Sequence, residues 1–389
     1  MNAKRFTALL AILALCVTFF AGCSAGKAAD SEGAGDGNVD GTIKIGFIGP
    51  LTGDTAQYGN AVCNGAKMYF DKVNAEGGIN GMKIDYITLD SEGDPATAVN
   101  AYSRLVDQEG VCAIVGPVLT GETVAVAEEA AADGIPMVTA SATGDSITDI
   151  GDTLFRTCFK DSFQGTKMAD YISEVLGYTK VAALYNNADA YSTGLYGAFE
   201  AECAVKGIEI VDTESFATGD TDFKAQLTNI AAKSPEALYF PCYYADCYMA
   251  ASQAKEIGLN VPFLGGDGFD GLCGIENVDP TIIEGFIYSA HFASDAGSDE
   301  VKAVAADYKS QFSVEPLGFS YLAYDAAMII VASIKSANST DWAAIVTAMK
   351  ATDMDCLTGH YKFDADNNPI KQCAMTKIEN GEYVFDRMF

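Results

Sequence analysis

The chain has 389 residues, 49% of them hydrophobic and 20% charged. That length can bury a large core in two or three domains, and the mixture excludes collagen, coiled coil and wholesale disorder. Acidic residues outnumber basic ones 53 to 24, a formal net charge of −29, which argues against nucleic acid or an anionic membrane surface as the partner.

The first elements are not part of a fold. Lys4 and Arg5 precede an uncharged apolar run from Phe6 to Ala21, shorter than the ~20 residues of a spanning helix. Small residues then lead to Ala21-Gly22-Cys23, the pattern of a secretory signal over residues 1–22. Phe20-Ala21-Gly22-Cys23 also resembles a bacterial lipobox, with Phe20 in place of the usual Leu. The resemblance implies that Cys23 is lipidated and that the protein is exported and held at the cell membrane by a lipid anchor only. Residues 23–41, rich in Gly, Ala, Ser and Asp, then read as a flexible tether. Removing residues 1–22 takes away two basic and no acidic residues and leaves a charge of −31.

From Thr42 strand and helix signals alternate. Ile43 to Gly49 reads as a strand, Asn60 to Ala75 as a helix, Lys83 to Leu89 as a strand and Ala96 to Gln108 as a helix. Val111 to Val118 and Pro136 to Ala140 read as strands on either side of a helix at Glu122 to Ala132. A second series starts near Lys180, with strands at 181–185, 208–211, 237–240 and 262–264 between helices at 191–206, 222–233 and 248–257. The two series are joined near Arg156–Asp161. Such alternation implies an α/β fold of two doubly wound parallel sheets. The last third adds a strand at Phe286 to Phe292 and helices at 299–312, 321–337 and 342–351. Antiparallel strands are expected over Gly359 to Phe385, around the turn-rich Asp364-Ala-Asp-Asn-Asn-Pro.

Catalytic motifs do not appear. There is no Walker sequence, dinucleotide glycine fingerprint, Gly-x-Ser-x-Gly elbow or His-Glu-x-x-His. With only His291 and His360 in the chain, triads and zinc sites have little to draw on. No cofactor or metal is expected. Asp364-x-Asp366-x-Asn368 starts like a calcium loop but lacks Gly at the sixth position and Glu at the twelfth, so it reads as a turn.

Open α/β sheets bind ligands beyond the carboxyl ends of their strands. Here those ends carry Tyr58, Thr120-Gly121, Ser141-Ala142-Thr143 and Asp267. A helix N-terminus with the Thr120 and Thr143 hydroxyls can hold a carboxylate without Lys or Arg. Asp267 in a Gly-flanked turn can accept an ammonium. Each feature also has a plain reading as a cap or a turn; their joint placement favours a zwitterion.

Ile48-Gly-Pro-Leu-Thr-Gly, Gln57-Tyr58-Gly59, Asn74-Ala-Glu-Gly-Gly-Ile-Asn-Gly and Asp94-Pro95 before a helix, in this order of elements, resemble the leucine/isoleucine/valine-binding family of type I periplasmic binding proteins. The resemblance spans Thr42 to Phe385. It implies two lobes joined by a three-stranded hinge, lobe 1 from 42–160 with 292–352 and lobe 2 from 161–291 with 353–389. It also implies a monomeric, non-enzymatic receptor that delivers an amino acid to an ABC permease and ATPase complex. Carried over, Thr120 and Thr143 hold the ligand carboxylate. The Ser141 carbonyl, the Thr143 hydroxyl and Asp267 hold its ammonium. Tyr58, Tyr191, Tyr243 and Phe319 line the side-chain pocket, with Val118, Leu119 and Ala142 near. Such a lining favours a small apolar amino acid, branched, aliphatic or aromatic. A sensory receptor of the same fold and a receptor for a short amide or urea stay open as alternatives.

Nine cysteines follow Cys23, an odd number that cannot fully pair. Cys356 with Cys373, and Cys242 with Cys247, are candidate bridges. The resemblance implies a further bridge at the positions of Gly93 and Leu119, where both cysteines are missing together.

Overall fold

The structure, a computed structural model, describes residues 41–293 and 297–389. The expected signal, Cys23 and nearly all of the tether lie outside the described residues. Among the described residues no helix is long and apolar enough to cross a membrane.

The first sheet is built from β1 (Thr42–Gly49), β2 (Lys83–Asp90), β3 (Ala113–Val115), β4 (Met137–Thr139) and β5 (Leu154–Arg156), alternating with α1 (Ala56–Ala75), α2 (Pro95–Arg104) and α3 (Thr120–Asp133). Its order is β2-β1-β3-β4-β5 and every pair is parallel. The chain then forms α4 (Asp161–Tyr171), β6 (Lys180–Asn186), α5 (Ala190–Lys206), β7 (Glu209–Phe216), α6 (Lys224–Ala232), β8 (Ala237–Tyr239), α7 (Tyr244–Ile257), β9 (Phe263–Gly265), α8 (Pro280–Ile283) and β10 (Ile287–Ala290). It continues through α9 (Asp299–Phe312), α10 (Gly318–Ala337), α11 (Trp342–Lys350), β11 (Asp353–Cys356), β12 (Gly359–Lys362), β13 (Ala374–Glu379) and β14 (Glu382–Met388). The second sheet runs β14-β13-β10-β9-β8-β6-β7, with β13 and β14 antiparallel on the edge.

In each sheet the strand order reverses once, between β1 and β3 in the first and between β6 and β8 in the second. These are the switch points where helices leave to opposite faces and a crevice opens. The lobes are held by close packing. Gly65 on α1 lies against α10 so tightly that a Cβ there would stand 2.1 Å from Ser320 O. Trp342 Nε1 donates to Val111 O at 3.1 Å and fastens α11 beside β3.

Three differences from the sequence reading matter. β5 and α4 were not expected, and both bear on the site. The terminal strands form two separate hairpins, β11-β12 and β13-β14, with Asp364–Pro369 between them. There Asp364 Oδ1 accepts from Asp366 N and Asn368 N at 2.9 and 2.8 Å, the self-contained turn that short Asx side chains make. Finally, residues 353–368, on the far side of the boundary expected at 353, bond to α10 and β5. Asp325 of α10 accepts from Leu357 N and Thr358 N at 2.7 and 3.1 Å. Asn367 Nδ2 donates to Leu154 O at 3.2 Å. The chain passes to the second sheet only at 371–373. At that crossing Lys371 Nζ donates to Tyr361 Oη and Thr358 Oγ1 at 2.6 and 2.9 Å.

Neither candidate disulfide forms: all nine described cysteines are thiols. Cys356 lies at the end of β11 against the first core, whereas Cys373 is buried in the separate core under α4 and α5. Cys247 is in the first turn of α7, and the Cys242 sulfur lies 3.4 Å from Ser192 Oγ. Gly93 and Leu119 are neighbours, since a Cβ on Gly93 would be 3.8 Å from Leu119 Cδ1.

Candidate functional site

The strand ends of both sheets converge on one cavity. Its wall is Tyr58, Val118, Leu119, Thr120, Ser141, Tyr191, Tyr243, Asp267, Gly268 and Phe319. Tyr58 stands in the first turn of α1, and Thr120 is the first residue of α3. Ser141 follows β4, Tyr243 follows β8 and Asp267 follows β9, while Phe319 opens α10. The helix over Tyr58 starts earlier than its periodicity showed, because Gly59 lets α1 sit on Pro50; a Cβ at 59 would lie 1.8 Å from Pro50 O.

Ala142 and Thr143 are not on the cavity wall. Ala142 packs into the core beneath α2 and α3. Thr143 is fully buried one layer back, with its Oγ1 lacking a hydrogen-bond partner.

The aromatic residues offer rings rather than hydroxyls. Tyr191 and Tyr243 stack at 5.1 Å, and the Tyr58 ring meets Tyr243 and Phe319 edge-on at 5.8 and 5.3 Å. Their hydroxyls are used elsewhere. Tyr58 Oη donates to Gly268 O at 2.6 Å and accepts from Tyr244 N at 3.1 Å. Tyr191 Oη accepts from Gly268 N at 3.0 Å. Because Tyr58 stands on α1 beside the first sheet, while Gly268 and Tyr244 follow strands of the second, the two Tyr58 bonds fasten the cleft. Asp270 adds another tie by accepting from Gly318 N, at the start of α10, at 2.6 Å.

The polar end holds residues the sequence reading missed. Gln164 Nε2 donates to both Asp161 Oδ1 and Asp267 Oδ1 at 3.0 Å. Its Oε1 accepts from Asp267 N at 3.1 Å and from Ser289 Oγ at 3.0 Å. Burial, reinforced by the charge of Asp267, raises the Asp161 carboxyl well above the usual range, and Asp161 Oδ2 has no hydrogen-bond partner. His291 Nε2 lies 2.9 Å from Asp267 Oδ2. Asp161 N donates to Thr143 O at 2.9 Å, and the Thr143 hydroxyl eases the upward shift of the Asp161 carboxyl. A fully buried Arg156 braces this wall, with Nη1 donating to Thr143 O and Gly144 O at 3.0 Å each and Nη2 to Thr148 Oγ1 at 3.2 Å. Gly144 N in turn donates to Thr120 Oγ1 at 3.3 Å.

At the other end, Glu122 lies buried in the first turn of α3, accepting from Leu119 N at 3.3 Å. Burial pushes its carboxyl up to about 7, so at neutral pH it is about half protonated and opposes an arriving anion less than a full charge would. The folded state thus keeps a proton that the unfolded chain releases above pH ~4.5. Stability from this group is whole below that pH and is lost as pH rises towards 7. Glu122→Gln keeps the acceptor and removes the titration. It is expected to leave stability unchanged near pH 4.5 and to raise it at pH 8 by roughly 2–3 kcal/mol, read from paired denaturant melts.

Among the described residues no cluster of His, Cys, Asp and Glu could hold a metal ion. The arrangement suits binding: a helix N-terminus and hydroxyls at one end, buried carboxylates at the other and aromatic rings between.

Comparison with known proteins agrees with this geometry. Residues 42–382 match the periplasmic binding protein family. A Leu/Ile/Val-binding protein of Rhizobium johnstonii is 33% identical over 314 residues, covering 79% of this chain and 83% of that protein. The leucine-, isoleucine-, valine-, threonine- and alanine-binding protein of Pseudomonas aeruginosa is 30% identical over 344 residues, covering 87% and 90%. Among solved structures, the branched-chain amino acid transporter substrate-binding protein LivJ of Streptococcus pneumoniae, in complex with isoleucine, superposes with a TM-score of 0.85 at 34% identity, over 90% of this chain and 99% of that one. With a family match across nearly all of the described fold, this chain belongs to the periplasmic binding proteins, in the branch of the leucine/isoleucine/valine-binding proteins.

Proposed function

We propose that the protein is an exported, lipid-anchored receptor that captures a small apolar amino acid and delivers it to an ABC permease and ATPase complex. The observation that carries this reading is that one cavity between the strand ends of the two sheets holds both charge complements of a zwitterion. The N-terminus of α3 with Thr120 lies at one wall and Asp267 at another, with Gln164 and Asp161 hydrogen-bonded behind it. The ligand carboxylate would dock first on Thr120 and the unpaired N–H groups of α3. Closure would then bring Asp267 onto the ammonium and the Tyr191–Tyr243 stack over the side chain. Asp161 and Thr143 contribute spare acceptor atoms behind that ammonium. The tyrosine hydroxyls are already engaged with main chain, so the side-chain pocket favours an apolar group. The relatives named for leucine, isoleucine and valine binding support the same class. Closure joins surfaces of both lobes, which a permease can read as one.

Calorimetry with leucine, isoleucine, valine and phenylalanine, against isocaproate, isoamylamine and urea, tests the reading. Leucine-type zwitterions are expected to bind at least about 100-fold tighter than either singly charged analogue, because each analogue leaves a buried polar group unpaired. Equal binding of isocaproate and leucine would overturn it.

A further inference from the structure

We propose that His291 is a positioning residue of this site: it holds the Asp267 carboxylate while tying it to two chain crossings, and its protonation weakens ligand binding at acid pH. The inference rests on the amino-acid reading above and concerns a residue outside the cavity wall.

The geometry fixes the imidazole's role. Its Nδ1 accepts from Phe159 N at 3.4 Å. That bond places the ring proton on Nε2, which donates to Asp267 Oδ2 at 2.9 Å. Phe159 lies on the first crossing between the sheets, just after β5, and His291 itself begins the second, just after β10. The Phe159 and His291 rings are in contact, with centroids 3.8 Å apart, and Phe319 of the cavity wall is 6.0 Å away. One neutral side chain thus links both crossings to the carboxylate proposed to take the ammonium.

Burial above all keeps it neutral. Burial lowers the His291 pKa against the opposing pull of Asp267, and Lys371 and Arg156 lower it further. Asp270, Tyr288 and Tyr383 share the side cavity beneath it, and Asp161 reaches Asp267 through Gln164. Protonating this ring would place a cation on Asp267, where it competes with a ligand ammonium. Binding and protonation are then linked by one proton. Because the His291 pKa is lowered, affinity is whole through the ordinary histidine range and falls only as pH drops below it, by at most about tenfold per unit from this group.

Leucine calorimetry between pH 5 and 8 on the wild type, His291→Gln and His291→Ala provides the test. Gln keeps a donor towards Asp267 and cannot charge; Ala keeps neither property. At pH 7.5 the Ala variant is expected to bind on the order of tenfold more weakly and the Gln variant close to wild type. The Gln variant is expected to lose the one-proton part of the acid slope, which the carboxyl groups titrating nearby would leave in place. His291 and His360 are the two histidines of the chain, so NMR resolves each ring. The His291 signal is expected to shift its titration to lower pH on saturation with leucine. If the Ala variant does not fold, the Gln slope and the NMR titration decide. An unchanged acid slope in His291→Gln, or a His291 titration indifferent to leucine, overturns the proposal. A wild type that binds no amino acid overturns the functional reading itself.

Discussion

Asp267→Ala is expected to weaken leucine-type binding by about 3–5 kcal/mol, the cost of leaving a buried charge without its partner, or two to four orders of magnitude in Kd. Stability is expected to change little. Asp267 and Asp161 are two buried carboxyls sharing one glutamine amide. The charge of Asp267 is one reason the Asp161 carboxyl is raised so far. Removing Asp267 relieves that repulsion, and its own main-chain bond to Gln164 Oε1 survives. Against this stands the His291 Nε2–H left without its acceptor, so the ligand-free variant should melt close to wild type. Asp267→Glu keeps the charge but carries an extra methylene into a site already filled by Gln164 and His291. It is expected to retain measurable binding below wild-type affinity. Calorimetry and thermal melting on the three proteins separate these effects. Unchanged leucine binding in Asp267→Ala with a native melt would remove Asp267 from the site.

The wall of this cavity was largely legible because strand-to-helix turns are written locally. Thr120-Gly121, Ser141 and Gly266-Asp267-Gly268 announce themselves beside apolar runs. What lay behind the wall was not legible, for physical reasons. β5 is three residues long and ends in Arg156; a charge at the end of so short a run reads as a junction. α4 carries Asp161 and Gln164 but has Gly165 in its middle, a residue that normally speaks against a helix. Here it lets α4 touch α5, since a Cβ at 165 would lie 2.9 Å from Phe199 N. The requirement for that glycine sits 34 residues away along the chain, on α5. His291 ends a strand, and nothing within its own segment distinguishes it from a core histidine. Its partner, Asp267, is 24 residues earlier in sequence, and only the pairing of β9 with β10 brings them together. Thr143 lies one layer behind the wall in the 142–144 turn, where Arg156 Nη1 donates to Thr143 O and Gly144 O, while Ser141 faces the cavity.

That turn depends on Arg156, and Arg156→Met is expected to damage stability and binding together. The guanidinium is fully buried, and its hydrogen bonds go to the carbonyls of 142–144 and the Thr148 hydroxyl. A planar fork can serve several carbonyls at once. Methionine fills similar space and removes the cost of burying a cation, but it leaves Thr143 O without the side-chain donor and Gly144 O with less support. At roughly 1–3 kcal/mol for each unsatisfied group, less the relieved desolvation, the expected loss is about 3 kcal/mol of folding stability. The defect should then spread along the turn. Gly144 is packed so closely on Thr120 that a Cβ there would be 2.6 Å from Thr120 Cγ2, and its N–H donates to the Thr120 hydroxyl. Loosening it moves the group proposed to hold the ligand carboxylate, and a further loss of about tenfold in leucine affinity is expected on top of the lower stability. Arg156→Lys keeps the charge without the fork and should recover part of the stability and little of the affinity. The pattern contrasts with Asp267→Ala, where binding falls and ligand-free stability does not. Denaturant melts and calorimetry on the Arg156 variants therefore distinguish a residue that builds the wall from one that touches the ligand. A stable Arg156→Met protein with wild-type leucine affinity would show that the 142–144 turn stands without its clamp.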